Sequence, residues 1–128
     1  MDTQPLFTQK DIIYTYTRAQ AIEDGYLVDV SEVASEAGFR WPVAVTRAVW
    51  DMVENIPPSK QGWEDIDGRL WDVLWMARMA ARRGGDLILY KLILAHGRKK
   101  YAVLKMTIGA ACPTDPSPCI TIMLPNED

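Results

Sequence analysis

Residues 86–109 read "DLILYKLILAHGRKKYAVLKMTIG", and the period of this stretch decides the fold. Two runs rich in Leu, Ile, Val and Tyr stand either side of the basic "HGRKK". That pattern predicts a β-hairpin with a tight, positively charged turn. Downstream, "CITIMLP" from residue 119 reads as a third strand. The intervening "AACPTDPSPC" carries prolines that predict an irregular loop.

Upstream of the hairpin the apolar residues recur at helical spacing instead. Leu70, Val73, Leu74, Ala77 and Ala81 form one stripe of a helix expected over 66–83, capped by Asp65 or Asp67 and stopped by Gly84-Gly85. Trp71 and Trp75 lie beside that stripe and are expected to pack in the core. Three shorter helices precede it. Thr17 with Gln20 makes a capping box for a helix over 18–24, ended by Gly25. Ser31 is expected to cap "EVASEAG", ended by Gly38. Pro42 suits the first turn of "PVAVTRAVWDMVENI", with Val45, Val49, Met52 and Ile56 on one face and Arg47, Asp51 and Glu54 on the other. "YLVDVS" is a short strand or a buried extended segment, and "PPSKQG" is a loop. Trp41 and Trp63 sit at helix entrances, where they serve either as exposed anchors or as staples closing the helix ends. The expected architecture is therefore α+β: about four helices, then a three-stranded antiparallel β-meander packed against the long helix. Residues 1–10 read as an arm and 11–128 as one domain.

The totals bound what this object does. A chain of 128 residues is one domain by length, with an ordinary 48% of hydrophobic residues. The formal charge of −3 argues against a dedicated nucleic-acid binder. The charge is uneven, however. Residues 1–72 hold 13 acidic and 6 basic side chains, and residues 73–111 hold one acid against eight bases. No signal peptide or membrane-length apolar run is apparent, so a cytoplasmic location is expected. Cys112 and Cys119 are then expected to stay reduced, although a crosslink on oxidation is open because they flank one loop.

Little in the sequence names a chemistry. His96 is the sole histidine, and with two cysteines separated by six intervening residues it lacks the spacing of a zinc site, so no metal and no cofactor are expected. Walker-A, G-x-G-x-x-G and G-x-S-x-G motifs are missing. A Cys–His pair would have to bridge the length of a strand. The carboxylates Glu23, Asp24, Asp29, Glu32 and Glu36, and later Glu64, Asp65 and Asp67, are explained by helix capping and solvation. Enzyme activity is not expected.

Two surfaces remain. The basic one comprises Arg78, Arg82, Lys91, Arg98, Lys99, Lys100 and Lys105. Positive charge at a helix C-terminus and a lysine-bearing sheet face account for these residues structurally. Contact with an acidic partner or a phosphate backbone is the competing reading. A three-residue turn would place Lys91 nearly opposite Lys105. An exposed edge strand over 118–124 could pair with a second copy to give a homodimer.

Three stretches carry a resemblance: "YTRAQAIEDGYLVDVSEVASEAGF", "GRLWDVLWMARMAARR" and "ITIMLPNED". Together they resemble an uncharacterised bacterial family, a domain of unknown function found on plasmids, integrated elements and phages. The resemblance implies an accessory protein of a mobile element and carries over no site residues. Proteins of that kind often bind host machinery, anti-CRISPR proteins among them. The expected function is a non-enzymatic inhibitor of a host defence system. It would bind a host protein or ribonucleoprotein through Glu23, Asp24, Asp29, Glu32 and Glu36, because a negative surface suits a basic channel. The alternative is a nucleic-acid-binding accessory protein using the basic set.

Overall fold

The computed structural model describes residues 17–56, 65–95, 100–112 and 115–127, excepting the side chains of 93–101 and 111–116. Four helices and five strands follow in the order α1 (Arg18–Glu23), β1 (Leu27–Asp29), α2 (Ser31–Glu36), β2 (Val43–Thr46), α3 (Arg47–Glu54), α4 (Ile66–Ala80), β3 (Leu87–Ala95), β4 (Lys100–Cys112) and β5 (Asp115–Met123). The α+β class holds, but the expected three-stranded meander is part of a larger sheet. Its spatial order is β1-β2-β5-β4-β3. All neighbours are antiparallel except β2 and β5, which run parallel, with Val43 beside Ile120 and Val45 beside Ile122.

Thr17 and Gln20 form the capping box of α1, and Asp65 caps α4 by accepting from the Gly68 amide at 2.6 Å. The α4 helix tightens into a 3-10 turn over Ala81–Arg83 before Gly84 and Gly85, whose positive φ values of 77° and 100° turn the chain into β3. Ser31 does not cap α2 but is its first residue. Its hydroxyl donates to Asp29 at 2.6 Å and accepts from the Val43 amide at 3.0 Å, tying the helix start to both flanking strands.

Pro42 does not open a helix. Val43–Thr46 form a strand buried at all four positions, and α3 begins only at Arg47, capped by Thr46. The reason is tertiary. A strand flanked on both sides satisfies its backbone and buries both of its faces.

The "AACPTDPSPC" segment is also more regular than its prolines predict, since β4 runs to Cys112 and β5 starts at Asp115. Pro118 pairs with Ala110. The Ile120 amide, two residues on, bonds the Pro42 carbonyl on the β2 side of the strand. The nitrogen of Pro118 therefore faces the same way, beyond the end of β2, and its missing proton breaks no ladder. Because β5 is the middle strand, 118–124 is not an exposed edge, and the expected pairing of that segment with a second copy is corrected. The edges are β1 and β3.

Helices α2, α3 and α4 cover one face of the sheet. There Val49, Val53, Leu70, Val73, Leu74 and Ala77 meet Val43, Val45, Leu104, Met106, Ile120 and Ile122. On the opposite face Arg18 of α1 reaches across to donate to Thr121 Oγ1 at 2.6 Å and to the Ile120 carbonyl. Burial lowers the pKa of that guanidinium, against the opposing influence of Cys119 and Asp29. The C-terminal turn is fastened there too. Glu127 accepts from Thr46 Oγ1 at 2.7 Å and from the Leu124 amide at 2.8 Å, while Lys105 Nζ donates to its carbonyl.

Tyr90 is buried between sheet and α4, its hydroxyl donating to the Val73 carbonyl at 3.2 Å. Burial pushes its phenol well above the ordinary value of 10.0. The folded state thus prefers the neutral phenol, whereas the unfolded chain ionises above its ordinary value. The contribution is complete below about pH 10 and is lost as pH rises beyond it. Tyr90→Phe is expected to flatten this alkaline loss. Equal slopes of unfolding free energy between pH 9 and 11 for both proteins would contradict it.

Candidate functional site

Burial in the core accounts for one stripe of α4 and leaves the other apolar. Leu70, Val73, Leu74, Ala77 and Ala80 face the sheet and are buried. At 100° per residue, Trp71 and Trp75 fall on the far side of the helix. They are 36% and 43% exposed, and their rings stack with centroids 6.0 Å apart and 13° between planes. Met76 is exposed next to them. The expectation that the two tryptophans pack in the core is corrected: the stripe was complete without them, and an i,i+4 pair can stack on itself. Trp41 is exposed as well, while Trp63 lies outside the described residues.

Beside α4 runs β3, which has no second neighbouring strand among the described residues. The Ile108 amide bonds the Asp86 carbonyl, which fixes even-numbered residues of β3 as the ones whose backbone faces β4. The amides and carbonyls of Leu87, Leu89 and Lys91 therefore point outward. Arg83, from the turn after α4, donates one such bond to the Leu89 carbonyl. The side chains of the same residues lie on the sheet face opposite α4, where Leu87 is 58%, Leu89 49% and Val103 40% exposed. A cavity of about 580 Å³ joins the two surfaces, lined by Met76, Met79, Arg83, Leu89, Lys91 and Val103 among others. It holds no carboxylate.

The charges separate across the sheet. Glu23, Asp24, Asp29, Glu32 and Glu36 are all exposed, on the edge strand β1 and on α1 and α2, which lie on the two faces of the sheet. Asp29 has a local task, accepting from the Ser31 amide at 3.0 Å, and Glu32 sits in the first turn of α2. Arg82, Arg83 and Lys91 are exposed at the β3 edge, roughly 19 Å away across four inter-strand spacings.

The rest of the basic set is not brought together. Arg78 turns toward α2, with its Nε 3.3 Å from the Gly38 carbonyl. Lys105 is held by Glu127. It stands opposite Leu89, and Lys91 opposite Val103, so the expected facing of the two lysines is corrected. An irregularity between Ile93 and Ala95 shifts the register that a three-residue turn would have set. Lys100 begins β4, while His96, Arg98 and Lys99 lie outside the described residues.

Among the described residues no group of His, Cys, Asp and Glu could hold a metal. Cys119 is a buried free thiol whose Sγ donates to the Gly109 carbonyl at 3.4 Å. Cys112 aligns with Asp115, four residues from Cys119 along β5. The two are about 13 Å apart, against the roughly 7 Å limit for a disulfide, so a crosslink within one chain does not form without a rearrangement. No described helix is long and apolar enough to cross a membrane.

Sequence reasoning missed Leu87, Leu89, Met76 and Arg83 as surface contributors. The signal was present in α4, which is apolar on both faces, and in a hairpin strand with apolar residues at odd and even positions alike. No curated protein and no solved structure matches this chain. The sequence model that does match covers residues 3–128, and the chain accordingly belongs to the family of unknown function DUF6573.

Proposed function

We propose that this chain is a non-enzymatic binding protein that docks a protein partner on the outer face of α4 and the adjoining β3 edge. The observation that carries the reading is the exposure of large apolar side chains on both elements. Trp71 and Trp75 are exposed on α4, and Met76 of the same helix lines the cavity that reaches Leu89 and Val103. Exposed aromatic and methionine side chains near arginine are the composition of an interaction surface. Affinity capture with the intact chain, compared with a Trp71→Ala/Trp75→Ala variant, tests it. A partner retained equally by both would contradict the reading.

A second reading places the contact at the β1 edge. All five acidic residues of α1, β1 and α2 are exposed, and that supports an inhibitor of a host defence system, encoded on a mobile element, meeting a basic channel. Reversing Glu23, Glu32 and Glu36 to lysine leaves the Asp29–Ser31 contact intact. It is expected to weaken binding at least tenfold at low salt with unchanged far-UV circular dichroism. Unchanged affinity would remove this reading. Retardation of RNA or DNA at low salt would instead favour the nucleic-acid alternative.

A further inference from the structure

We infer that the free edge of β3 receives an extended acidic segment of the partner as a sixth strand. This rests on the docking surface proposed above and specifies how it is used. Three observations converge. The outward amides and carbonyls of Leu87, Leu89 and Lys91 present a ladder with no strand beside it among the described residues. The surfaces flanking that ladder are both apolar, with Leu87, Leu89 and Val103 on one side and Met76 and Met79 on the other. An added strand alternates its side chains between them, which is how strand addition acquires specificity.

The charge selects the occupant. Among the described residues of β3 and the turn leading into it, the exposed cations Arg82, Arg83 and Lys91 stand against the single acid Asp86. An incoming strand displaces Arg83 from the Leu89 carbonyl and frees its guanidinium for a carboxylate of the partner. A second copy of this chain fits less well. Its own β3 would add like charge to an edge that is already cationic, and its β1 edge is only three residues long. Edges that must stay unpaired are usually blunted by charge or proline. Lys91 does so at one position, but Leu87 and Leu89 do not.

The test is selection of a random dodecapeptide phage library on the intact chain, followed by anisotropy measurements with the enriched peptides. Peptides alternating acidic and apolar residues are expected. Lys91→Pro removes an outward amide without touching the β3–β4 ladder, and is expected to weaken binding about tenfold or more. Lys91→Glu, which keeps the backbone donor, is expected to weaken it as well, and the Leu87 and Lys91 amides should gain hydrogen-exchange protection on binding. Failure to enrich any peptide would overturn the inference. So would enriched peptides without acids, or binding indifferent to both Lys91 variants. Peptides lost with Trp71→Ala/Trp75→Ala but kept by Lys91→Pro would sink strand addition and leave the docking surface standing. The reverse pattern would sink the α4 part of that surface alone.

Discussion

A chain carrying Trp71→Ala and Trp75→Ala is expected to keep its fold and lose its partner. The two indoles stack on each other outside the core, so their removal opens no internal void. The lost stack and partial burial cost roughly 1–2 kcal/mol of stability. Binding suffers more. Aromatic anchors at the centre of an interface are each worth about 2–4 kcal/mol, so a hundredfold or larger fall in affinity follows if both are buried by the partner. Calorimetric affinity beside a thermal melt separates the two effects. A melt lowered as strongly as a core variant's, or an affinity within threefold of the original, would show that the pair serves the fold.

Leu74→Ala is the counterpart on the opposite stripe of the same helix. Leu74 is fully buried against the sheet. Its truncation removes transfer free energy and leaves a cavity that close-packed neighbours fill only in part, for a cost of about 3 kcal/mol within the usual 2–5. That is a large share of the 5–15 kcal/mol or so by which domains are stable. Denaturant titration should show a lower midpoint with an unchanged slope, and affinity for the partner should survive wherever the variant is folded. A loss below about 1 kcal/mol would mean that the α4–sheet interface is looser than its burial indicates.

How much of this was legible depended on whether the signal was local. The Thr17–Gln20 capping box, the Asp65 cap, the Gly84-Gly85 stop and the β3–β4 hairpin are written in residues a few positions apart, and all are present. The strand Val43–Thr46 was not legible. Four buried residues show no alternation, and Pro42 before them imitates a helix start. Its parallel pairing with β5 depends on residues far away in the chain, which no periodicity reports. The candidate site failed to show for a related reason. Trp71 and Trp75 keep helical spacing whether they face the core or water, and only the completed stripe of Leu70, Val73, Leu74 and Ala77 decides between the two. The charge asymmetry was legible in sequence, and its separation to opposite edges follows from β1 and β3 being the outermost strands.

The parallel pair at the sheet's centre has a bearing on how the chain assembles. Val43 and Ile120 are neighbours across strands yet 77 residues apart in sequence. Bringing them together closes a loop at an entropic cost of about 4 kcal/mol, by the logarithmic dependence on length. The β3–β4–β5 hairpins close short loops and have no such barrier, so they form first and the β1–β2 unit joins late. Until the β1–β2 unit joins, β2 and β5 each carry an open edge, and these are templates for pairing with another molecule. The middle of the native sheet is thus an open edge in the nascent one, and the danger of aggregation is greatest before the β1–β2 unit docks on the central strand.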